Sequence, residues 1–242
     1  VAREALRIKL GLNQPLINQY INFLNKLIHG DLGEALITQE PVKDIISKAL
    51  PASIELGICA LLIAIVVGIS IGLCGTAKKE RKLDLLTRFY GISTYAIPPF
   101  WAAMIVQLIF AVILGWLPVG GRFPPSLDEP QGTGFFIIDS ILHGNLLALQ
   151  GSIRHLILPA STLGILLSGV FSRSIRLNLE QTLKADYIEA AKTRGINKSR
   201  IVLKHALPNA LLPVITISGL TIASLIGGAL LIEVTFSWPG IA

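Results

Sequence analysis

The chain has 242 residues, of which 52% are hydrophobic and only 15% are charged, and its mean hydropathy is +0.66. Because soluble domains carry about 25% charged residues, this composition argues against a soluble globular protein. The net charge of +6 would suit a nucleic-acid-binding protein, but the basic residues are gathered in loops between apolar runs, which is typical of a membrane protein.

Residues 1–49 are mixed in charge and are predicted to form a helical segment outside the membrane. Apolar residues recur there at helical spacing, which predicts an amphipathic helix. These residues are Ile17, Tyr20, Ile21, Leu24, Leu27 and Ile28. The glycines of Gly30–Gly33 are expected to end this helix. A further short helix is predicted after Pro41, since proline suits a first helical turn.

Residues 50–242 are predicted to form a transmembrane domain. Four runs contain no Asp, Glu, Lys or Arg, and each is near the length of about 20 residues that a membrane helix needs. The runs are Leu56–Ala77, Gly91–Gly121, His155–Ser172 and His205–Ile232. The corresponding membrane helices are predicted at about Ala52–Ala77, Ile92–Leu117, Leu156–Ser172 and Ala210–Ile232. The semi-apolar piece Phe135–Leu149 is too short to span and is expected to pack at the surface or the interface.

Prolines and glycines refine this pattern. Pro51 is expected to open the first membrane helix, and Pro98 and Pro99 are expected to bend or delay the second. Gly68 and Gly72 form a GxxxG pair, which either permits a close helix contact or is a chance pair in a glycine-rich helix.

Basic residues orient the helices, because cytoplasmic loops collect Lys and Arg. Residues 77–91 contain five of them and residues 173–207 contain eight, whereas residues 118–154 contain only Arg122 and Arg154. The two basic loops are therefore placed in the cytoplasm and residues 1–49 outside. The chain is predicted to be a multi-pass protein of the cytoplasmic (inner) membrane.

The sequence gives little indication of catalysis. It has no Gly-x-x-x-x-Gly-Lys phosphate loop and no His-Glu-x-x-His metal motif. Cys59 and Cys74 lie about 22 Å apart along one apolar run, too far for a disulfide. Glu55 and Glu233 are expected only to flank spans, which disfavours an ion-coupled transporter. We expect a non-enzymatic subunit with no metal or cofactor of its own, whose energy source lies outside this chain.

The segment from residue 185 to residue 196 is the most informative part of the sequence. Asp186 is a candidate N-cap with Glu189 three residues on, as in a capping box. Tyr187–Arg194 is predicted to be a short helix, and Gly195 suits the left-handed position that ends one. A second short helix, about Lys198–Leu207, is expected to end at Pro208.

The alanines of the first short helix suggest contact with another protein. Ala190 and Ala191 would leave a smooth surface that a partner can approach closely. An ordinary loop helix would fit the same pattern.

The order of residues in this loop resembles that of bacterial ABC importer permeases. Glu189-Ala190-Ala191 is followed after three residues by Gly195, and then by Ile201 and Leu207-Pro208. Five further blocks resemble the branch of the family that imports dipeptides, oligopeptides or nickel. These blocks are Gly30–Gly33, Leu50–Leu56, Ala96–Trp101, His155–Ala160 and Phe236–Gly240.

The resemblance implies an all-α, polytopic membrane helix bundle of the type I ABC importer permease kind. Members of the family commonly have six membrane helices, so it implies that the chain carries four of six and lacks the first and the last. It also implies a homologous second permease subunit, two ABC ATPase subunits that use ATP and magnesium, and an extracytoplasmic solute-binding protein. The resemblance further implies that this assembly lies in the lipid bilayer and binds no nucleic acid.

The same resemblance assigns roles to residues, because the family's loop inserts a coupling helix into a cleft of the ATPase. The residues expected to form this ATPase-coupling site are Asp186, Tyr187, Glu189, Ala190, Ala191 and Gly195. Ser218, Thr221 and Ser224 either line a pore between the permeases or bond back to the carbonyls of their own helix. The expected substrate is a peptide, with a nickel complex or an oligosaccharide as alternatives. An ion-coupled secondary transporter is the rival from another class.

Overall fold

A computed structural model describes residues 13–35, 38–77 and 81–241 of the chain. Regular structure within these ranges is helical, apart from one isolated antiparallel β-bridge between Glu34 and Pro41. The all-α class predicted from the sequence is therefore confirmed. The chain divides into two compact units, Val1–Ala49 and Leu50–Ala242.

The first unit contains the predicted amphipathic helix. Helix α1 comprises Leu16–Ile28, and Gly30 turns the chain out of it with a φ of +75°. Further along the chain, the Val42 N–H donates to the Gly33 carbonyl at 2.9 Å. Gly33 also has a positive φ, +80°, so the break predicted at these two glycines is confirmed.

Helix α2 (Val42–Ala77) has 36 residues and contains the whole first predicted span. Pro51 does not open this helix but lies inside it, and the separate short helix predicted after Pro41 is the first part of α2. A proline removes one backbone hydrogen bond and leaves the ladder intact on either side. Membrane helices tolerate such prolines when neighbouring groups satisfy the freed carbonyl.

The second predicted span, Ile92–Leu117, is not one helix. Helix α3 (Arg81–Ala96) and helix α4 (Pro99–Gln107) are bent by 98°, and α4 continues through a π-helical turn to Ile113. Pro98 is extended, with a ψ of 131°, because its ring prevents continuation of the preceding helix. The bend predicted at the prolines is confirmed, and the boundaries of the span are wrong.

The semi-apolar piece Phe135–Leu149 forms helix α5 (Phe136–Leu142) and the first turn of helix α6 (Leu146–Thr182). Asn145 caps α6, since its side chain accepts a hydrogen bond from the Ala148 N–H at 3.0 Å. Helix α6 contains the third predicted span and extends beyond both of its ends.

Four further helices complete the chain. They are α7 (Asp186–Thr193), α8 (Lys198–Ala210, with a π-helical turn at Ile201–Ala206), α9 (Leu212–Gly228) and α10 (Leu230–Thr235). The fourth predicted span, Ala210–Ile232, is interrupted at Leu211 and Ala229. Among the described residues, α2 and α6 are long and apolar enough to cross a membrane alone. Up to four crossings result if α3 with α4, and α8 with α9, each form one bent span.

Glycines bring the backbones of α2 and α6 into contact. A Cβ atom at Gly68 would lie 2.7 Å from the Ser168 carbonyl oxygen, and one at Gly72 would lie 2.7 Å from the Ser172 carbonyl oxygen. These distances leave no room for any side chain. Of the two readings of the GxxxG pair, the close helix contact is therefore confirmed.

We expect Gly68→Ala to lower the free energy of unfolding by about 1–3 kcal/mol, because the added methyl group overpacks a contact made of backbone atoms. Gly57→Ala is the matched control on the same helix, since a Cβ there would lie 3.9 Å from the Leu225 side chain. Thermal unfolding of the purified protein in detergent measures both. Equal midpoints for the two variants would contradict the contact.

Candidate functional site

Helix α7 begins one residue earlier than the sequence predicts, and its N-terminus is not capped by a side chain. Ala185 occupies the N-cap position with extended backbone angles, and no side-chain hydrogen bond caps the helix. Asp186 is therefore the first helical residue and not the N-cap, and the predicted capping box with Glu189 is wrong. Both carboxylates still lie in the first turn, where the helix dipole favours negative charge.

The C-terminal end of α7 is closed by Gly195, as predicted. Its φ is +74°, its N–H donates to the Lys192 carbonyl at 3.0 Å, and the Ile196 N–H donates to the Ala191 carbonyl at 3.2 Å. These two bonds form a Schellman motif, which needs a left-handed residue at this position. Open space surrounds the glycine, so backbone conformation alone selects it.

A buried apolar cluster attaches α7 to its neighbours. Ile188 is fully buried and Ala191 is 8% exposed. Both pack in one cluster with Leu179, Ile201, Val202, Ala206 and Ala210. Ala191 therefore faces its own chain, and its predicted place on a docking surface is wrong. Ala190, together with Asp186, Tyr187 and Glu189, is exposed.

Helix α8 is linked to α7 by a polar contact as well. The Asn209 side-chain amide donates to the Tyr187 hydroxyl oxygen at 2.8 Å. Pro208 does not end this helix, contrary to the prediction. It lies in the first turn of the α-helical piece that follows the π-helical turn, where a missing N–H is tolerated.

An open cleft of about 1180 Å³ lies beside α7. It is lined by residues from both basic segments, 77–91 and 173–207, and by the end of α2. Its lining includes Gly75 and Thr76 of α2, together with three acidic and three basic side chains. These are Asp84, Glu180, Glu189, Lys184, Lys192 and Lys198. Arg176 bridges α6 to α3 at the same end, 2.9 Å from Glu180 and 3.7 Å from Asp84. Lys78 and Lys79 of the first basic loop lie outside the described residues.

The three hydroxyls predicted in the fourth span all bond within α9. Ser218 donates to the Val214 carbonyl, Thr221 to the Ile217 carbonyl and Ser224 to the Thr221 carbonyl, each at 2.8 Å. The second reading of these residues is confirmed, and their place in a pore stays a prediction.

A buried ion pair, which no sequence motif predicts, lies at the other end of the unit. Glu55 and Arg122 are 7% and 6% exposed, and Arg122 Nη2 donates to Glu55 Oε2 at 2.6 Å. The guanidinium also donates to the Gly134 carbonyl at 2.7 Å and lies 3.8 Å from the centre of the Phe136 ring. The second oxygen of Glu55 accepts the Ile137 N–H at 2.9 Å. Both carboxylate oxygens of Glu55, and the Nε and Nη2 atoms of Arg122, thus have hydrogen-bond partners.

Asp139 fixes the turn that presents the Gly134 carbonyl to Arg122. Its carboxylate accepts the Thr133 N–H and the Gly134 N–H at 2.9 Å, and the Thr133 hydroxyl at 2.8 Å. Burial raises the pKa of Asp139, but these hydrogen bonds, helped by the nearby His143, outweigh burial and hold its pKa below the ordinary value.

The family-like block Phe236–Gly240 is anchored to the same end of α2. Trp238 Nε1 donates to the Ala52 carbonyl at 2.9 Å, and the Ser53 hydroxyl donates to Glu233 at 2.6 Å. The sequence predicts that Glu55 and Glu233 only flank membrane spans. Both are buried, Glu233 at 3% exposure.

Sequence signals for this cluster are weak. Glu55 and Arg122 are 67 positions apart, so no local spacing connects them. Two features of the sequence are consistent with the pair. Arg122 lies in a loop that contains few basic residues, and Glu55 is an acidic residue near the start of the first predicted span.

Other chemistry is not supported in the part of the chain that the structure describes. No group of three or more His, Cys, Asp and Glu side chains there could hold a metal ion. Gly68–Gly72 has the spacing Gly-x-Ser-x-Gly of a hydrolase nucleophile turn. It lies inside the continuous helix α2, and the Ser70 hydroxyl donates to the Val66 carbonyl at 2.7 Å.

The chain is similar to known proteins along nearly its whole length. Residues 57–242 match the family described as binding-protein-dependent transport system inner membrane component. A probable D,D-dipeptide transport system permease protein of Escherichia coli is 41% identical, over 98% of this chain and 70% of the relative. A di/tripeptide transport system permease protein of Pseudomonas aeruginosa is 39% identical over the same shares. An oligopeptide transport system permease protein of Bacillus subtilis is 35% identical, over 99% of this chain and 70% of the relative.

We expect Glu55→Gln and Arg122→Gln each to destabilise the protein by about 3–5 kcal/mol, because each leaves a buried charge without its partner. The double variant should lose less than the sum of the two. Thermal unfolding of the purified protein gives the three values, and Arg154→Gln, on an exposed side chain, is the control. Additive losses in the double variant would contradict a direct ion pair.

Proposed function

Because the chain belongs to the family of binding-protein-dependent transport system inner membrane components, we propose that it is the membrane-spanning permease subunit of an ATP-driven importer of short peptides. The observation that carries this proposal is the similarity over 98% of the chain to permease proteins named for di- and tripeptides. These names favour a peptide over a nickel complex or an oligosaccharide.

The working transporter would contain partners that supply energy and substrate. We propose a second, homologous permease subunit, two ATPase subunits that bind ATP and magnesium, and a solute-binding protein on the extracytoplasmic side of the cytoplasmic membrane. This chain would translocate the substrate and catalyse no reaction. The ion-coupled transporter, kept as a rival, lacks support from the named relatives.

Helix α7 is the proposed contact with the ATPase. Its exposed face carries Asp186, Tyr187, Glu189 and Ala190, whereas its opposite face is packed in the apolar cluster. A displacement of α7 would therefore move the partners to which it is attached. These are the end of α6, through Leu179, and helix α8, through Val202 and the Tyr187–Asn209 hydrogen bond.

From α8 the displacement would reach the membrane. Helix α8 is joined to α9 with a bend of only 44°, so the two can move as one bent body. This gives a mechanical route from an ATPase on the α7 side to two helices of the bundle, α6 and α9. Proteins commonly switch between two conformations by rigid-body motion of helices or domains.

The substrate proposal is tested by transport in reconstituted vesicles. The complete transporter, with its solute-binding protein outside and ATP inside, should accumulate a radiolabelled dipeptide. Unlabelled dipeptide should compete, whereas a nickel complex and an oligosaccharide should not. Uptake that follows an imposed ion gradient without ATP, or that is competed only by the nickel complex or the oligosaccharide, would contradict the proposal.

We expect Gly195→Val to abolish peptide-stimulated ATP hydrolysis while the protein stays in the membrane. A β-branched residue at a φ of +74° costs roughly 1–2 kcal/mol or more, and it would misplace the end of α7. Gly195→Asn is the matched control, since asparagine tolerates the left-handed region. The readouts are co-purification of the ATPase subunits and stimulated turnover in vesicles. Normal values for the valine variant would mean that α7 is an ordinary loop helix.

A further inference from the structure

Helix α1 carries an apolar face that is exposed along its whole length. No residue of Leu16–Ile28 is buried, and eight large apolar side chains, one of them tyrosine, are exposed. They are Leu16, Ile17, Tyr20, Ile21, Phe23, Leu24, Leu27 and Ile28. The exposed fraction reaches 82% at Leu16 and 81% at Ile28. A face of this size in contact with water would be costly, so it requires an apolar environment.

The two faces of α1 are sharply separated. At about 100° per residue, the eight apolar residues occupy an arc of about 160°. The remaining arc holds four uncharged amides and one lysine, and it contains no acidic residue. These residues are Asn18, Gln19, Asn22, Asn25 and Lys26. The apolar arc is therefore a continuous convex strip.

The polypeptide ties α1 to the start of α2. Gly33 is hydrogen-bonded to Val42, the first residue of α2, and Gly33 lies five positions after Ile28 in the chain. This connection spans at most about 17 Å. Along α2, Val42 lies about 15 Å from Ala52, where the first predicted span begins. The polar interface of a bilayer is about 5–8 Å thick on each side. The connection between α1 and α2 is therefore long enough for α1 to reach this interface.

We propose that α1 lies flat in the bilayer interface at the surface where α2 enters, with its apolar arc among the lipid acyl chains. Lipid fits this arc because it needs no groove and no matching charge, and the arc offers neither. Helix α2 also exposes an apolar stripe, at Ile54, Ile58, Leu62 and Val66. Such a stripe is expected to face lipid, which places the bilayer around this part of α2. The single lysine means that burial of apolar surface, and not attraction to anionic lipid, drives the contact.

The assembled transporter in vesicles of zwitterionic phosphatidylcholine provides the test, after Cys59 and Cys74 are replaced by alanine. Single cysteines at successive positions from Ile17 to Ile28 are spin-labelled, and their collision rates with oxygen and with a water-soluble nickel reagent are compared. We expect the ratio of the oxygen collision rate to the nickel collision rate, which is high for a label in lipid, to oscillate with a period of about 3.6 residues. Its maxima should fall at Tyr20 and Leu24, at the centre of the apolar arc, and its minima at Asn22 and Asn25.

Two outcomes of this scan would overturn the inference. If the labels at Tyr20 and Leu24 collide freely with the nickel reagent, the arc faces water. If they are shielded from both reagents, a protein covers the arc, either another subunit or a second part of this chain. The inference needs only that the chain spans a membrane, so failure of peptide transport would not affect it.

Two controls separate burial of apolar surface from other effects. With the label at Leu24, Ile21→Asp should lower the ratio of collision rates, whereas Asn22→Asp on the opposite face should leave it unchanged. High salt and vesicles with anionic lipid should give the same profile as zwitterionic vesicles at low salt. Equal effects of the two substitutions, or an oscillation seen only with anionic lipid, would also overturn the inference.

Discussion

Close backbone contact between α2 and α6 fixes the positions of the other helices in residues 50–242. At Gly68, Gly72 and Gly164 the two helices approach so closely that no side chain fits between them. In a bilayer, lipid tails solvate apolar side chains as well as a protein core does, so helices associate through close packing more than through the hydrophobic effect. Helices α3, α4, α5, α9 and α10 then contact α6, which makes the α2–α6 pair the frame of the unit.

The two ends of this frame are stabilised by different interactions. At the Glu55 end, charged groups are buried and each has its hydrogen-bond partners, so that a change in shape there would expose an unpaired charge. At the α7 end, a small apolar cluster holds the short helices beside an open cleft. Apolar contacts have no preferred direction and can slide, whereas hydrogen-bonded ion pairs cannot. A change of shape at the Glu55 end would therefore cost more than one within the apolar cluster around α7.

Irregular backbone is concentrated outside the α2–α6 pair. The 98° bend at Pro98, the π-helical turns at Leu108–Ile113 and Ile201–Ala206, and the break at Ala229 all lie in the helices around it. π-helical turns are frequent at functional sites, and helix breaks let segments on either side change direction. The frame thus consists of two continuous helices, and the helices around it change direction at these irregular points.

The sequence alone determined the features that depend on composition or on one residue's backbone. The apolar runs define a membrane protein, the spacing in α1 defines its two faces, Pro98 interrupts a helix, and Gly195 supplies a left-handed turn. Tertiary structure decided what depends on residues far apart in the chain. In the folded chain, α2 continues through Pro51, and Ala191 is buried in a cluster with α6 and α8. Ala185, and not Asp186, occupies the N-cap position of α7. Tertiary structure also pairs Glu55 with Arg122 and brings Gly68 against Ser168. These contacts could not be predicted because they have no period along the sequence, and they arise only where packing places the two partners within reach.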